Sequence, residues 1–156
     1  MRTHDDHSPE PPAPPDALAR LVPGTLAAIA GVHAAWALGW RWPGGTDQAL
    51  SDRVVGDGVR LPPNWLTALV AGTLLAGASA VRGSASGAEG LERVAAWTVA
   101  GALLARAAVS VPMDLAGGLR TTYSRLDLAI YSPLSVALGA GTVRLLTRPA
   151  PAEVAR

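Results

Sequence analysis

Four apolar runs, each close to a bilayer thickness in length, leave this chain very few folds. They are Leu21–Trp40, Trp65–Val81, Val94–Met113 and Leu128–Leu146. A membrane-crossing helix needs about 20 mostly apolar residues to cover a hydrocarbon core of ~30 Å. Inside that core every backbone N–H and C=O must be satisfied within the segment, so the spanning form for isolated runs like these is the α-helix. The sequence therefore predicts an all-α protein, a four-transmembrane-helix bundle with up-down topology. The chain has 156 residues. Four spans and their loops use most of it and leave no room for a separate soluble catalytic domain.

Composition agrees. Only 16% of residues are charged, against the ~25% usual for soluble chains, and the charges gather between the apolar runs. The formal net charge of +1 points to no nucleic-acid partner. There is no cysteine, which excludes disulfides, thiolate catalysis and thiolate metal sites. The leader, residues 1–16, holds five prolines among charged and polar residues and is expected to stay disordered. It is acidic, unlike the basic start of a cleaved signal peptide, so the first run is read as a retained helix. The membrane domain is placed at 17–148 and a short tail at 149–156.

Helix 1 is expected from about Asp16 to Trp40. The longest loop, Arg41–Pro63, is broken by Pro43, Gly44, Gly45, Gly56, Gly58, Pro62 and Pro63. Asn64 is a candidate N-cap for helix 2. That helix carries Ala68, Gly72, Ala76 and Ala80 at four-residue spacing, a pattern that lets helices approach closely in lipid. Helix 3 is expected over about Leu91–Met113, ending near Pro112. Helix 4 is expected over about Leu126–Thr147, with Ser135–Gly139 and Ala137–Gly141 as further small-residue pairs. Four spans put both termini on one side of the membrane. Seven arginines lie on the termini and the 82–93 loop, and five on the other two loops. The positive-inside rule then places the termini in the cytoplasm and the protein in the cytoplasmic membrane.

Arg106 interrupts the third run, where a charge costs roughly 2.5–3.5 kcal/mol on insertion scales. Such a cost is tolerated where the charge meets a buried partner or water. Loops 41–63 and 114–125 share one side, here called the far side. His33 and Arg106 then both lie about 10 Å below it. Helix 4 enters from the same side and sets Asp127 near the surface, with Tyr131 about 6 Å deeper. His33, Trp36 and Trp40 share a helix face, as do Asp127 and Tyr131. Pro133 leaves the carbonyl of Ala129 without its helical donor, which is tolerated at membrane depth where backbone lines a cavity. These placements predict one polar-aromatic pocket that opens to the far side.

Plainer roles compete. Arg106 and Asp127 also read as a structural ion pair locking two helices. His33 alone reads as a hydrogen bond to a neighbouring helix. Trp40, Trp42 and Trp65 sit at span ends like interfacial belt residues, and Trp36 and Trp97 serve packing as readily as a cavity wall. Asp47, Asp52 and Asp57 read as solvated, although Asp47 follows a Gly-rich turn able to fold over the pocket. No phosphate loop, diphosphate–magnesium box or zinc motif is present, so no metal and no cofactor is called. His4 and His7 in the leader are a weak metal signal. A Ser–His–Asp triad can be drawn from Ser132, His33 and Asp127, with no support from spacing.

With these residues in place, the chain resembles a family of small bacterial four-span membrane proteins of unknown function. The resemblance rests on His33-Ala-Ala-Trp36-Ala-Leu-Gly39 with Trp42 and Asp47 following. It rests more strongly on Ser124-Arg-Leu-Asp127-Leu-Ala-Ile-Tyr131-Ser132-Pro133-Leu134. Arg106 matches an arginine that the family places late in its third helix. The similarity covers about Leu21–Leu146. It departs after Arg106, where the family tends to Gly-Asp-Phe and an aromatic, basic stretch, and this chain reads Ala107-Ala-Val-Ser-Val-Pro-Met-Asp114. The resemblance implies topology and no activity.

The functional expectation is an intramembrane enzyme on an apolar lipid or isoprenoid substrate, by fold-level analogy with small membrane-bound terpene cyclases. Proton-initiated cyclisation needs a carboxylic acid, aromatic faces for cations and exclusion of water. Asp127 or Asp114 is the acid. Trp36, Trp97 and Tyr131 line the cavity, Arg106 and Asp47 border it, and His33 takes the final proton. An Asp127 paired to Arg106 would be a poor proton donor, and the role would pass to Asp114 or Asp47. The competing expectation is a non-catalytic membrane component or lipid-binding helper subunit with an Arg–Asp lock. A homo-oligomer is compatible with either, and membrane lipid is the expected partner.

Overall fold

A computed structural model of the chain describes residues 17–148. The leader and tail called at 1–16 and 149–156, with His4 and His7, lie outside the described residues. The described residues form helices α1 (Ala17–Ala37), α2 (Asp47–Val54), α3 (Asn64–Ala85), α4 (Leu91–Ala116) and α5 (Thr122–Leu146), and no strand. α1, α3, α4 and α5 are long and apolar enough to cross a membrane. This is the four-span, all-α architecture expected of a multi-pass membrane protein. α1 packs mainly on α3 and α4 mainly on α5, and the α3–α4 contact joins the two pairs.

The spans are helical because Ala, Leu and Val fill them and because hydrocarbon offers the backbone no other partner. Large apolar side chains point outward: Leu69, Leu75, Val94, Val109, Met113 and Ile130 are exposed. Small residues sit at the contacts. Gly139 faces Leu104 and the carbonyl oxygen of Ala100 on α4, and Gly141 faces Val22 on α1, so any Cβ there meets atoms at 3.2 Å or less. This inside-out pattern fits lipid, where close approach rather than burial of large groups drives helix association. Gly139 and Gly141 thus pack as their spacing predicts. The α3 stripe does so only at its near end: Ala80 is buried, but Ala68, Gly72 and Ala76 face outward, and the rest of the buried face carries Ala71, Gly77, Ala78 and Val81.

The apolar core lies in the near half of the bundle, where Val22, Leu26, Ala78, Val81, Ala96, Leu138 and Leu145 meet. The far half holds the polar residues. Several boundaries differ from expectation. α4 runs through Pro112 to Ala116. α5 starts at Thr122, where Thr121 and Ser124 form a reciprocal capping box. Both helices are therefore about one turn longer at the far end. Asn64 begins α3 without capping it; Pro63 holds the cap position.

The long far-side loop is ordered around α2, a helix the sequence reading left as irregular. Thr46 caps it by accepting from the Ala49 N–H at 3.2 Å. The segment is fastened at several points. Trp36 Nε1 donates to the Trp42 carbonyl at 2.8 Å, and Arg41 donates to the Trp36 carbonyl at 2.8 Å. Arg53 donates to the Pro43 carbonyl at 2.7 Å. Across the bundle, the Thr122 N–H donates to Asp57 at 3.3 Å and the Tyr131 hydroxyl to the Arg53 carbonyl at 3.2 Å. The segment thus forms a cap over the far end.

Candidate functional site

The polar cluster stands between α4 and the first turns of α5. Its geometry comes from a single π turn, Asp127–Tyr131, inside α5. In a regular α-helix residue i+5 is rotated away from i by about 140°. The π turn brings Ser132 back over Asp127, and the Ser132 hydroxyl donates to Asp127 Oδ2 at 2.5 Å. Pro133 follows directly and has no N–H to donate. The backbone irregularity read from Pro133 is therefore real and takes the form of a π turn, a feature common at functional sites.

Asp127 is fully buried and Arg106 Nη2 pairs with its Oδ1. The same guanidinium reaches the Ser135 hydroxyl at 3.4 Å and the Tyr123 hydroxyl at 3.5 Å. Ser110, one turn beyond Arg106, donates to the Arg106 carbonyl at 2.9 Å and lies 3.0 Å from the Ser132 oxygen. Ser135 donates in turn to the Tyr131 carbonyl at 2.8 Å. Arg106, Asp127 and three serines thus form one connected network, which is how a buried charge pair becomes tolerable. The expected pairing of Arg106 with Asp127 is present.

A groove of about 460 Å³ opens beside this network on the outer face of α4. That volume is within the ~300–1,000 Å³ of ordinary ligand sites. Arg106, Ser110, Asp114 and Tyr123 form its polar wall, and Val109 and Met113, both exposed, form its apolar wall. The Arg106 side chain keeps 37% of its surface accessible, so it serves the groove as well as Asp127. Asp114 lies near both Asp127 and Arg106. Its Oδ2 is buried and accepts no hydrogen bond among the described residues, while the carboxyl stands within hydrogen-bonding reach of that of Asp127.

His33 is elsewhere. It lines a second cavity of about 210 Å³ between α1, α3 and the cap, with Trp36 at 5.0 Å ring to ring. One expected pocket is therefore two. α1 packs on α3, and its His33–Trp36 face turns towards α3 and the cap instead of towards α4 and α5. The expected common depth also fails, because His33 lies four residues inside the far end of α1 and Arg106 ten residues inside that of α4. The paper triad fails for this reason: Ser132 and Asp127 meet, and His33 is not with them. Tyr131 links the two regions, with its ring 6.4 Å from that of Tyr123 and its hydroxyl on the cap. Trp97 is 42% exposed and lines neither cavity. Asp47 pairs with Arg41 at the exposed end of α2 and fastens the cap. Trp40 and Trp42 stack at 5.6 Å on the far rim, and Trp65 is exposed, as belt residues are.

Tyr123 and Ser110 carry no expectation from sequence as site residues, and Ser135 is expected only as a small packing residue. Ser110 and Tyr123 had a weak signal, since Ser110 is one turn from Arg106 and Tyr123 is one turn from Asp127. Residues 26–142 match the family described as "Protein of unknown function (DUF3995)". The chain belongs to this family. The matched region encloses both cavities and the cap. No curated protein and no solved structure matches the chain.

Proposed function

We propose that this DUF3995 protein handles an apolar lipid inside the membrane, with Asp114 as its reactive group. The observation that carries the reading is the Asp114 carboxyl on the wall of the α4–α5 groove, whose buried Oδ2 accepts no hydrogen bond among the described residues and which stands beside the Asp127 carboxyl. Two carboxylates and one guanidinium share this place. Arg106 pairs with Asp127 and only lies near Asp114, so the Asp114 carboxyl is open to a proton or to a cationic group of a ligand. A lipid lying along Val109 and Met113 has its chain beside that carboxyl.

In the isoprenoid form of the proposal, the Asp114 O–H bond breaks and a C–H bond forms at one carbon of a substrate double bond. The neighbouring carbon becomes the cation, faced by the Tyr123 ring. Loss of a proton from an adjacent carbon closes the new double bond and returns the proton to the Asp114 carboxylate. His33 lines the other cavity and has no part in this sequence. Trp36 and Trp97 likewise have no part in it.

The test is product analysis after incubating protein in lipid nanodiscs with a series of prenylated substrates. A general acid is worth about 10²–10⁴-fold, so Asp114→Asn should lower turnover at least about a hundredfold. Unchanged turnover in that variant would remove Asp114. A second reading, a lipid-binding helper without chemistry, is supported by the closed Arg106–Asp127–serine network, which has the form of a structural lock. It predicts that lipid is retained unchanged by the wild-type protein and that no substrate is converted.

For orientation, the arginine distribution supports termini in the cytoplasm and residence in the cytoplasmic membrane. The absence of cysteine makes this easy to examine. A single reporter, Ser86→Cys, should react with an impermeant maleimide only when the cytoplasmic face is accessible.

A further inference from the structure

The second cavity holds two polar groups that no other described residue uses. His33 Nδ1 lies 2.9 Å from the Ile29 carbonyl oxygen. A carbonyl only accepts, so Nδ1 carries the hydrogen, and in the neutral ring Nε2 is then a hydrogen-bond acceptor. No hydrogen bond to Nε2 is present among the described residues. Thr67 lines the same cavity. Thr73 and Ser79 on α3 return their hydroxyls to the carbonyl one turn back. For Thr67 that carbonyl belongs to Pro63 and already accepts the N–H groups of Leu66 and Thr67. The Thr67 hydroxyl makes no hydrogen bond among the described residues.

The two groups stand at one level. His33 lies four residues inside the end of α1 and Thr67 three residues inside the start of α3. They are therefore about 6 Å and about 4.5 Å below the far ends of their helices. The remaining wall is apolar. Val54, Val55, Leu61 and Pro62 of the cap form a roof, and Leu66 and Val70 lead out to the exposed face of α3. The indole N–H of Trp36 is spent on the Trp42 carbonyl.

We propose that this cavity binds the hydroxyl head of an uncharged long-chain alcohol. One group that both donates and accepts satisfies both orphans: the ligand O–H donates to His33 Nε2 and its oxygen accepts from Thr67. No Asp, Glu, Lys or Arg side chain lines the cavity, so it is built for an uncharged head. The volume of about 210 Å³ is below that of a whole lipid site. It holds a head and the first carbons, and the chain leaves over Leu66 and Val70 into the bilayer. The cavity is built by α1, α3 and the cap, so this site is independent of the α4–α5 groove and of any chemistry there.

The test uses the full chain in nanodiscs and two probes, a diazirine-bearing long-chain primary alcohol and its methyl ether, which accepts but cannot donate. Crosslinks from the alcohol should map to α3 near Leu66 and Val70. The ether should label about fivefold less, the worth of one neutral hydrogen bond. Thr67→Val, of nearly the same shape, should weaken alcohol labelling by a similar factor. His33→Ala should erase the difference between alcohol and ether. Equal labelling by the two probes in the wild-type protein would overturn the proposal even if a variant failed to fold. So would crosslinks that map away from this cavity.

Discussion

Removing the two members of the Arg106–Asp127 pair should have unequal consequences. Arg106→Leu leaves Asp127, which has no accessible surface, with its charge unmatched and with Asp114 beside it. Breaking a buried pair in this way costs roughly 3–5 kcal/mol. Asp127→Leu leaves a guanidinium that is 37% accessible, with Asp114 near enough to replace the lost partner. Its cost is then closer to that of stranding the Ser132 hydroxyl, about 1–3 kcal/mol. The double Leu variant buries no orphan charge, so its cost should fall below the sum of the singles by at least about 1 kcal/mol. The assay is reversible unfolding in mixed micelles by titration with a denaturing detergent, read by helical circular dichroism. Additive single costs, or a smaller cost for Arg106→Leu than for Asp127→Leu, would refute this account of the network.

Four further outcomes follow from packing and from the cap. Gly139→Ala sets a Cβ 2.8 Å from Leu104 and 3.2 Å from the Ala100 carbonyl oxygen, so it should destabilise by about 1–3 kcal/mol and lower the melting temperature. Gly31→Ala, with open space around it in the middle of α1, should instead be neutral or stabilise by up to about 1 kcal/mol, because alanine is the better helix former. Tyr131→Phe removes the hydroxyl that holds the Arg53 carbonyl; amide exchange over Asp47–Val54 should speed up roughly tenfold while that of α4 stays unchanged. Asp47→Ala frees Arg41 and should loosen the same cap without affecting labelling of the α4–α5 groove.

Much of the fold was legible because its strongest cause is local. A run of about twenty apolar residues excludes every spanning form except a helix, and each run can be read alone. Depth along a helix is also local, at 1.5 Å per residue. That is why Arg106, Asp127 and Tyr131 were set at compatible heights and why the Arg106–Asp127 pair was expected. Pro133 announced a backbone irregularity for the same reason. Rotation about the helix axis is not local. The small-residue pattern on α3 is periodic whether or not a neighbour faces it, and Ala68, Gly72 and Ala76 turned out to face outward.

The sequence alone therefore determined the number of spans, their helical form and the gathering of polar residues in the far half of the bundle. Only the tertiary structure decided that α1 packs on α3 and α4 on α5, which divides one expected pocket into two. It alone also showed the π turn that carries Ser132 onto Asp127 and the capping helix over the far end. The physical reason is that backbone satisfaction and hydrophobic length act within a segment. Which faces meet is settled among segments, by close approach at Gly139 and Gly141 and by the few polar groups that must find each other out of water.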